Sequence, residues 1–279
     1  GTWAYTPTPT LLPAGRTATA IASGYGHTCA ALDDNSMVCW GRNNQYQLGN
    51  SSIGTNDHQA TPVYAATGLL LNSVTAGEHH TCAISTDNIA YCWGSNYYNA
   101  GGNWARGSSS WGYYSTPAEV TLPVGRTAMG ITAGGYSGCA ILDDESIYCW
   151  GRDDSNRLNT EYNCGSSDDT NGCNDGHRRM PAPAVPPTGR TMIAMFRGYD
   201  HACALVDNGG LYCFGYNGDG MLGNGSSYGT GPSYVEFPVA VSLTTSDRDS
   251  DHDGVFNNGD RCMNGVTGWT SNSSTDYDH

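Results

Sequence analysis

Charge is scarce in this chain. Only 14% of its 279 residues are charged, with Lys and Arg totalling 12 against 26 for Asp and Glu, a formal net charge of −14. A surface of that sign repels phosphate, so nucleic acid is excluded as a general partner. It suits divalent cations or a basic protein. No apolar run approaches the ~20 residues that a membrane-spanning helix needs, so no membrane span is expected. The sequence also lacks a G-x-S-x-G elbow, an H-E-x-x-H pair and a phosphate-cradling loop, and no enzyme is expected. The paired carboxylates Asp33-Asp34 and Asp143-Asp144 fall in short polar turns, where they read as simply solvated. The start at Gly1, without Met or a leader, is what a cleaved signal peptide or a trimmed chain would leave.

What the chain has instead is glycine (38), tyrosine (18) and cysteine (11). Eight of the cysteines form four C-x9-C pairs inside repeated cores: GYGHTCAALDDNSMVCWGRNNQYQLGN (Gly24–Asn50), GEHHTCAISTDNIAYCWGSNYYNAGGN (Gly77–Asn103), GGYSGCAILDDESIYCWGRDDSNRLN (Gly134–Asn159) and GYDHACALVDNGGLYCFGYNGDGMLGN (Gly198–Asn224). The period is roughly 50–60 residues, the size of one propeller blade. A linking phrase precedes each core: LLPAGRTATAIASG (Leu11–Gly24), TLPVGRTAMGITAG (Thr121–Gly134) and PPTGRTMIAMFRG (Pro186–Gly198). The copy before the second core, ATGLLLNSVTAG (Ala66–Gly77), is degenerate.

Each core reads as a β-hairpin, with turns DDNS, STDN, DDES and DNGG between two apolar runs. Cysteines on either side of such a turn can face each other near ~5.5 Å and form a disulfide. The expected pairs are Cys29–Cys39, Cys82–Cys92, Cys139–Cys149 and Cys203–Cys213; zinc is disfavoured because C-x9-C lacks the short-spaced knuckle of metal sites. Such regular pairing points to an oxidising compartment, hence a secreted or cell-surface protein. A Trp-Gly or Phe-Gly follows every hairpin (Trp40, Trp93, Trp150, Phe214), as a core anchor at a strand end. The third repeat carries an insertion, Glu161–Arg179, with a local pair Cys164 and Cys173 that would hold an exposed loop.

The phrases G-x-x-H-x-C-A and C-W-G-x-N-x-x-x-Q-L-G, clearest over Gly24–Gly49, resemble the regulator of chromosome condensation repeat family in its cysteine-containing extracellular form. The resemblance covers roughly residues 11–241. It implies an all-β fold of four-stranded propeller blades, usually seven around an axis. Four cores are fewer than that, which leaves a piece of a longer protein, a ring shared by two chains, or an open array. Tyr5–Arg16 resembles the closing strand and linker of a blade whose core is absent, a spare element able to complete a neighbour by strand addition. The family's nuclear exchange activity is not carried over to an acidic, cysteine-rich chain. Some secreted relatives act as protein-binding surfaces, including an inhibitor of β-lactamase.

Residues 247–262, DRDSDHDGVFNNGDRC, closely resemble a thrombospondin type 3 repeat. Asp249, Asp251, Asp253, the Val255 carbonyl, Asn257 and Asp260 have the oxygen-ligand spacing that wraps Ca²⁺. Cys262 has no obvious mate. His27, His80 and His201 share one repeat position with Ser137; a metal site or, in preference, a hydrogen bond to the backbone of the same blade would explain them. Asn50, Asn224 and Asn272 begin glycosylation sequons. The aromatics of Asn96–Ser115 suit either sugar or protein contact, or packing between blades.

The expected organisation is an N-terminal strand and linker (1–20), four repeats (21–243) and a calcium-binding segment (244–279). The expected function is that of an extracellular structural or interaction protein whose blades pack within and between chains, self-associating through blade edges into a filament or multimer. The alternative is a secreted module that captures a protein or glycan.

Overall fold

The computed structural model describes residues 8–65, 68–103, 112–154, 157–160, 177–227 and 230–241, with the isolated positions 6, 164, 173 and 174. The calcium-like segment, Cys262 and Asn272 lie outside the described residues, as do 1–5 and 7. Two compact units divide the chain, 1–240 and 241–279; the fold below is that of the first.

The chain is all-β. Four antiparallel sheets follow one another along the sequence. The first blade comprises β1 (Ala18–Ser23), β2 (His27–Leu32), β3 (Met37–Gly41) and β4 (Gln59–Tyr64). The second comprises β5 (Leu71–Ala76), β6 (His80–Ser85), β7 (Ala90–Ser95) and β8 (Tyr113–Glu119). The third holds β9 (Ala128–Gly134), β10 (Ser137–Leu142), β11 (Ile147–Arg152), the two-residue β12 (Cys173–Asn174) and β13 (His177–Pro183). The fourth holds β14 (Met192–Arg197), β15 (His201–Val206), β16 (Leu211–Tyr216) and β17 (Tyr234–Ala240). The sheets do not close into a ring. Residues 8–16 form no strand; they end in a turn in which Arg16 N donates to Pro13 O at 3.1 Å, and Leu12 packs on the first blade. No described helix is long and apolar enough to cross a membrane.

The hairpin turns fold as their composition dictates. The residues six after each leading cysteine, Asn35, Asn88, Glu145 and Gly209, all have φ between 61° and 80°, the left-handed region that Asn and Gly tolerate best. The Asp pairs are not simply solvated, contrary to the sequence reading. Arg16 of the linking phrase reaches Asp33 at 3.8 Å and Asp34 at 3.0 Å, Arg126 reaches Asp143 at 3.6 Å and Asp144 at 3.0 Å, and Arg190 reaches Asp207 at 3.9 Å. These exposed pairs contribute little stability, but they explain a sequence correlation. The degenerate second link lacks the Arg, and the turn it precedes, STDN, lacks the Asp pair.

First strands of successive blades pack side by side, β1 on β5, β5 on β9 and β9 on β14. The glycine that opens each core makes this approach possible. A Cβ on Gly77 would lie 2.2 Å from His80 Cε1 and 2.8 Å from the Gly134 carbonyl; one on Gly24 would meet the Gly77 carbonyl at 2.3 Å and His27 Cε1 at 2.5 Å. The G-x-x-H phrase is therefore a packing unit in which the imidazole lies against the glycine and the next blade closes over both. Gly77→Ala should lower stability by about 1–3 kcal/mol through overpacking. Gly112→Ala, at a position open to space, should leave the thermal midpoint unchanged in the same unfolding measurement.

Candidate protein interface

The cysteines stand at the centre of the joint between blades. In each core the two residues face each other across the hairpin, Cys29 with Cys39, Cys82 with Cys92, Cys139 with Cys149 and Cys203 with Cys213. Their Cα atoms are 4.1 Å apart with sulfurs at bonding distance. That is closer than the ~5.5 Å anticipated, because antiparallel partners at non-hydrogen-bonded positions approach more tightly. Cys164 and Cys173 are joined in the same way with Cα atoms 5.5 Å apart. The first three core pairs are buried by the following blade. Cys29 and Cys39 share a cluster with Leu71, Ala83 and Trp93 of the second blade; Cys82 and Cys92 pack with Trp150 of the third; Cys139 and Cys149 pack with Phe214 of the fourth.

The aromatic residue after each hairpin completes the joint. Trp93 Nε1 donates to the Gln47 carbonyl of the preceding blade at 3.0 Å, and Trp150 Nε1 donates to the Ala100 carbonyl at 2.9 Å. Gln47 and Ala100 occupy the same repeat position. Each indole lies against the glycine two residues later: a Cβ on Gly49 would be 2.6 Å from Trp93 Nε1, and one on Gly102 2.8 Å from Trp150 Nε1. The loop carrying this seat is shaped by a buried side chain. Asn43 Oδ1 accepts from Leu48 N, Asn96 from Gly101 N, Asp153 from Leu158 N and Asn217 from Leu222 N, at 3.0–3.2 Å.

The third joint departs from the pattern in two matched ways. Asn159 stands where the seat has Gly49 and Gly102, and the ring entering it is Phe214 instead of a Trp. Phe has no donor, so Arg197 Nη1 reaches the equivalent carbonyl, Arg157 O, at 3.4 Å. Asp153 lies 3.6 Å from Arg178 Nε, a residue within the insertion. Burial nevertheless raises the Asp153 carboxyl to about 6.

The regulator of chromosome condensation (RCC1) repeat matches residues 18–47, 72–100 and 193–220, and a second form of it matches residues 34–84. Those segments are similar to the RCC1 repeat. The matched segments omit the third blade, where Ser137, Asp153 and Asn159 replace the His, Asn and Gly of the first. Among curated relatives, the chain is 26% identical to protein pim1 of Schizosaccharomyces pombe over 208 residues, covering 74% of this chain and 38% of that protein. It is also 26% identical to the ultraviolet-B receptor UVR8 of Arabidopsis thaliana over 242 residues, covering 84% and 49%. Prp20p of Saccharomyces cerevisiae superposes with a TM-score of 0.71 at 21% identity, covering 87% of this chain and 54% of that one, and human WBSCR16 with 0.66 at 17%, covering 84% and 57%. These structures show the RCC1 propeller fold, and the chain spans about half their length or less than half that of the relatives.

The two end blades carry joint elements whose counterpart is missing among the described residues. Trp40 of the first blade is only partly buried, whereas Trp93 and Trp150 are fully buried, and its indole donates to no atom among the described residues. Ile21 of the same blade is 66% exposed, whereas Ala30, Leu32 and Val38, which cluster with Trp40 and Leu12, are buried. On the fourth blade the disulfide face has no blade over it among the described residues: Phe196 is 68% and Leu211 46% exposed. Its seat loop ends in Gly223, which is exposed where Gly49 and Gly102 are buried. Sequence reasoning found the cysteines and aromatics but missed the seat, whose signal was the Gly-to-Asn change accompanying Trp-to-Phe.

Among the described residues, the imidazoles of His27, His80 and His201 make no hydrogen bond to the backbone of their own blades. His27 Nε2 pairs with Thr81 Oγ1 of the next blade at 2.8 Å, and Thr81 Oγ1 donates to Gln47 O at 2.9 Å. The third blade has Gly138 where Thr81 stands, so His80 has no such hydroxyl, and burial lowers it to about 3. No cluster of three or more His, Cys, Asp or Glu side chains suited to a metal occurs among the described residues. Asn50 Nδ2 donates to Tyr64 O at 2.9 Å. Phe214→Trp should cost about 1–3 kcal/mol by overfilling the Asn159 seat; adding Asn159→Gly should recover most of it in chemical denaturation of the double variant.

Proposed function

We propose that this chain is an extracellular interaction protein that extends its own blade joint to a second copy, the first blade of one chain docking on the fourth blade of the next. One observation carries this reading: the exposed seat at Gly223 is of the glycine type that receives a Trp in the first and second joints, and the ring left only partly buried at the other end is Trp40. Such a contact is head-to-tail, so it gives a ring if the rotation closes and a filament if it does not. The core cysteines are oxidised in this reading, which requires a secreted or cell-surface setting. The open disulfide face of the fourth blade then serves as docking surface.

Calcium is assigned to Asp249, Asp251, Asp253, Val255, Asn257 and Asp260, where it stiffens the segment following the blades. Ca²⁺ should protect residues 244–279 from proteolysis and EDTA should abolish that protection; equal digestion in both would remove calcium from the account.

Sedimentation equilibrium tests the assembly. At about 50 µM the wild type should sediment above monomer mass, and Trp40→Ala and Gly223→Trp should each sediment as monomers. A mixture of the two variants should form a dimer, since each retains the half that the other lacks. A monomeric wild type, or a Trp40→Ala variant that assembles like wild type, would contradict the reading.

A further inference from the structure

The turns after the first strands of all four blades meet at a cavity of about 250 Å³. Its walls are built at equivalent repeat positions. Each blade supplies the core-opening glycine, Gly24, Gly77, Gly134 or Gly198, and the residue after it. The glycine never changes because the inner strands touch there, but the next residue is Tyr25, Glu78, Gly135 or Tyr199 in turn. The fold therefore fixes the shape of the floor and leaves the chemistry of the rim to these positions.

That chemistry is one carboxylate among aromatic rings. Glu78 N donates to Gly135 O at 3.0 Å, which pins the residue at the cavity wall. Its side chain is 16% exposed, and its ion-pair contact among the described residues is His79 Nε2 at 3.5 Å. Burial lowers the His79 imidazole and so disfavours its charged form, with Glu78 and Arg42 acting on it in opposite senses. The rings form a connected set. Tyr25 and His79 meet edge-on with centroids 5.9 Å apart, His79 and Tyr136 at 6.2 Å, and Tyr136 and Tyr199 at 6.4 Å. Burial and hydrogen bonding to Glu78 raise both Tyr136 and Tyr199. Tyr25 and Tyr199 are 74% and 53% exposed at the mouth.

Two neighbouring guanidinium groups, Arg152 and Arg157, are already matched. Arg152 pairs with Asp154 at 2.8 Å and lies 3.8 Å from Asp200, while Arg157 pairs with Asp154 at 3.0 Å and also with Asp200. Arg197 lines the cavity, but its guanidinium is turned into the third joint toward Arg157 O and Cys139 Sγ.

From this geometry we infer that the cavity binds an organic cation, presented as a lysine side chain by a basic protein partner. A carboxylate supplies the charge, and tyrosine and histidine rings supply cation–π contact and exclude water around the alkyl stem. The net charge of −14 steers such a partner toward the chain. This site lies on the turns between first and second strands, away from the end faces of the array, so it stands or falls independently of self-association.

The test uses the monomeric Trp40→Ala chain and three probes: an acetylated Gly-Lys-Gly amide, tetramethylammonium, and an acetylated Gly-Glu-Gly amide. Binding is read from NMR shifts of the Tyr25, His79 and Tyr199 rings. The lysine peptide should give saturable shifts, Glu78→Gln should weaken it at least about fivefold, and Tyr199→Ala should weaken it about threefold. Both variants should keep the wild-type thermal midpoint, separating loss of binding from loss of fold. Saturation by the glutamate peptide, an unchanged affinity in Glu78→Gln, or shifts with tetramethylammonium but none with the lysine peptide would overturn the inference.

Discussion

The structure depends on one contact made between successive blades: an indole N–H donating to a backbone carbonyl of the blade before it, over a glycine that leaves room for the ring. The bond satisfies a donor that would otherwise be buried without a partner, a loss of about 1–3 kcal/mol. The ring simultaneously covers the cysteine pair of the preceding hairpin. A cross-strand staple within a blade thus becomes the floor on which the next blade is laid. The stability of such an array is approximately a sum over repeats and joints, which is why an unfilled joint at either end matters for what the chain does.

The third joint shows how tightly the parts are coupled. Exchanging glycine for Asn159 narrows the seat, a smaller ring occupies it, and the carbonyl left without an indole is reached by Arg197. The loop residue changes as well, from a neutral amide to Asp153. Asn43 can both accept from Leu48 N and donate to the Ile53 and Gly54 carbonyls. A carboxylate only accepts, and Arg178 stands beside it instead. Burial favours the neutral acid and the arginine favours the anion; the net direction is upward. The insertion in this blade therefore reaches into the fold through Arg178.

Much of the fold was legible because its period is carried by residues with few substitutes. The C-x9-C spacing fixes a hairpin with its cysteines opposed, and the Asp, Asn and Gly of the turns fix where it reverses. Trp-Gly marks a strand end at which Gly41, with φ of 101°, would bring a Cβ within 2.5 Å of the Gly26 carbonyl. What the sequence did not reveal was which blade each side chain faces. The repeat pattern places His27 with its own blade, and it bonds the next one. The turn composition places the Asp pairs in solvent alone, and they also meet an Arg from the linking phrase. Both errors concern contacts between segments far apart in sequence, where a local pattern carries no directional information. The aromatic rim around Glu78 was equally hidden, since its members come from different blades at a position where the repeats disagree.

Hydrogen exchange of the indole N–H protons tests the joint most directly, because it reports whether each ring is seated. Trp93 and Trp150 should exchange only on unfolding of the blades. Trp40 should exchange rapidly in dilute monomer and become protected as concentration drives assembly. A Trp40 proton already protected in the monomer, or Trp93 and Trp150 protons exchanging freely in the folded chain, would contradict the account.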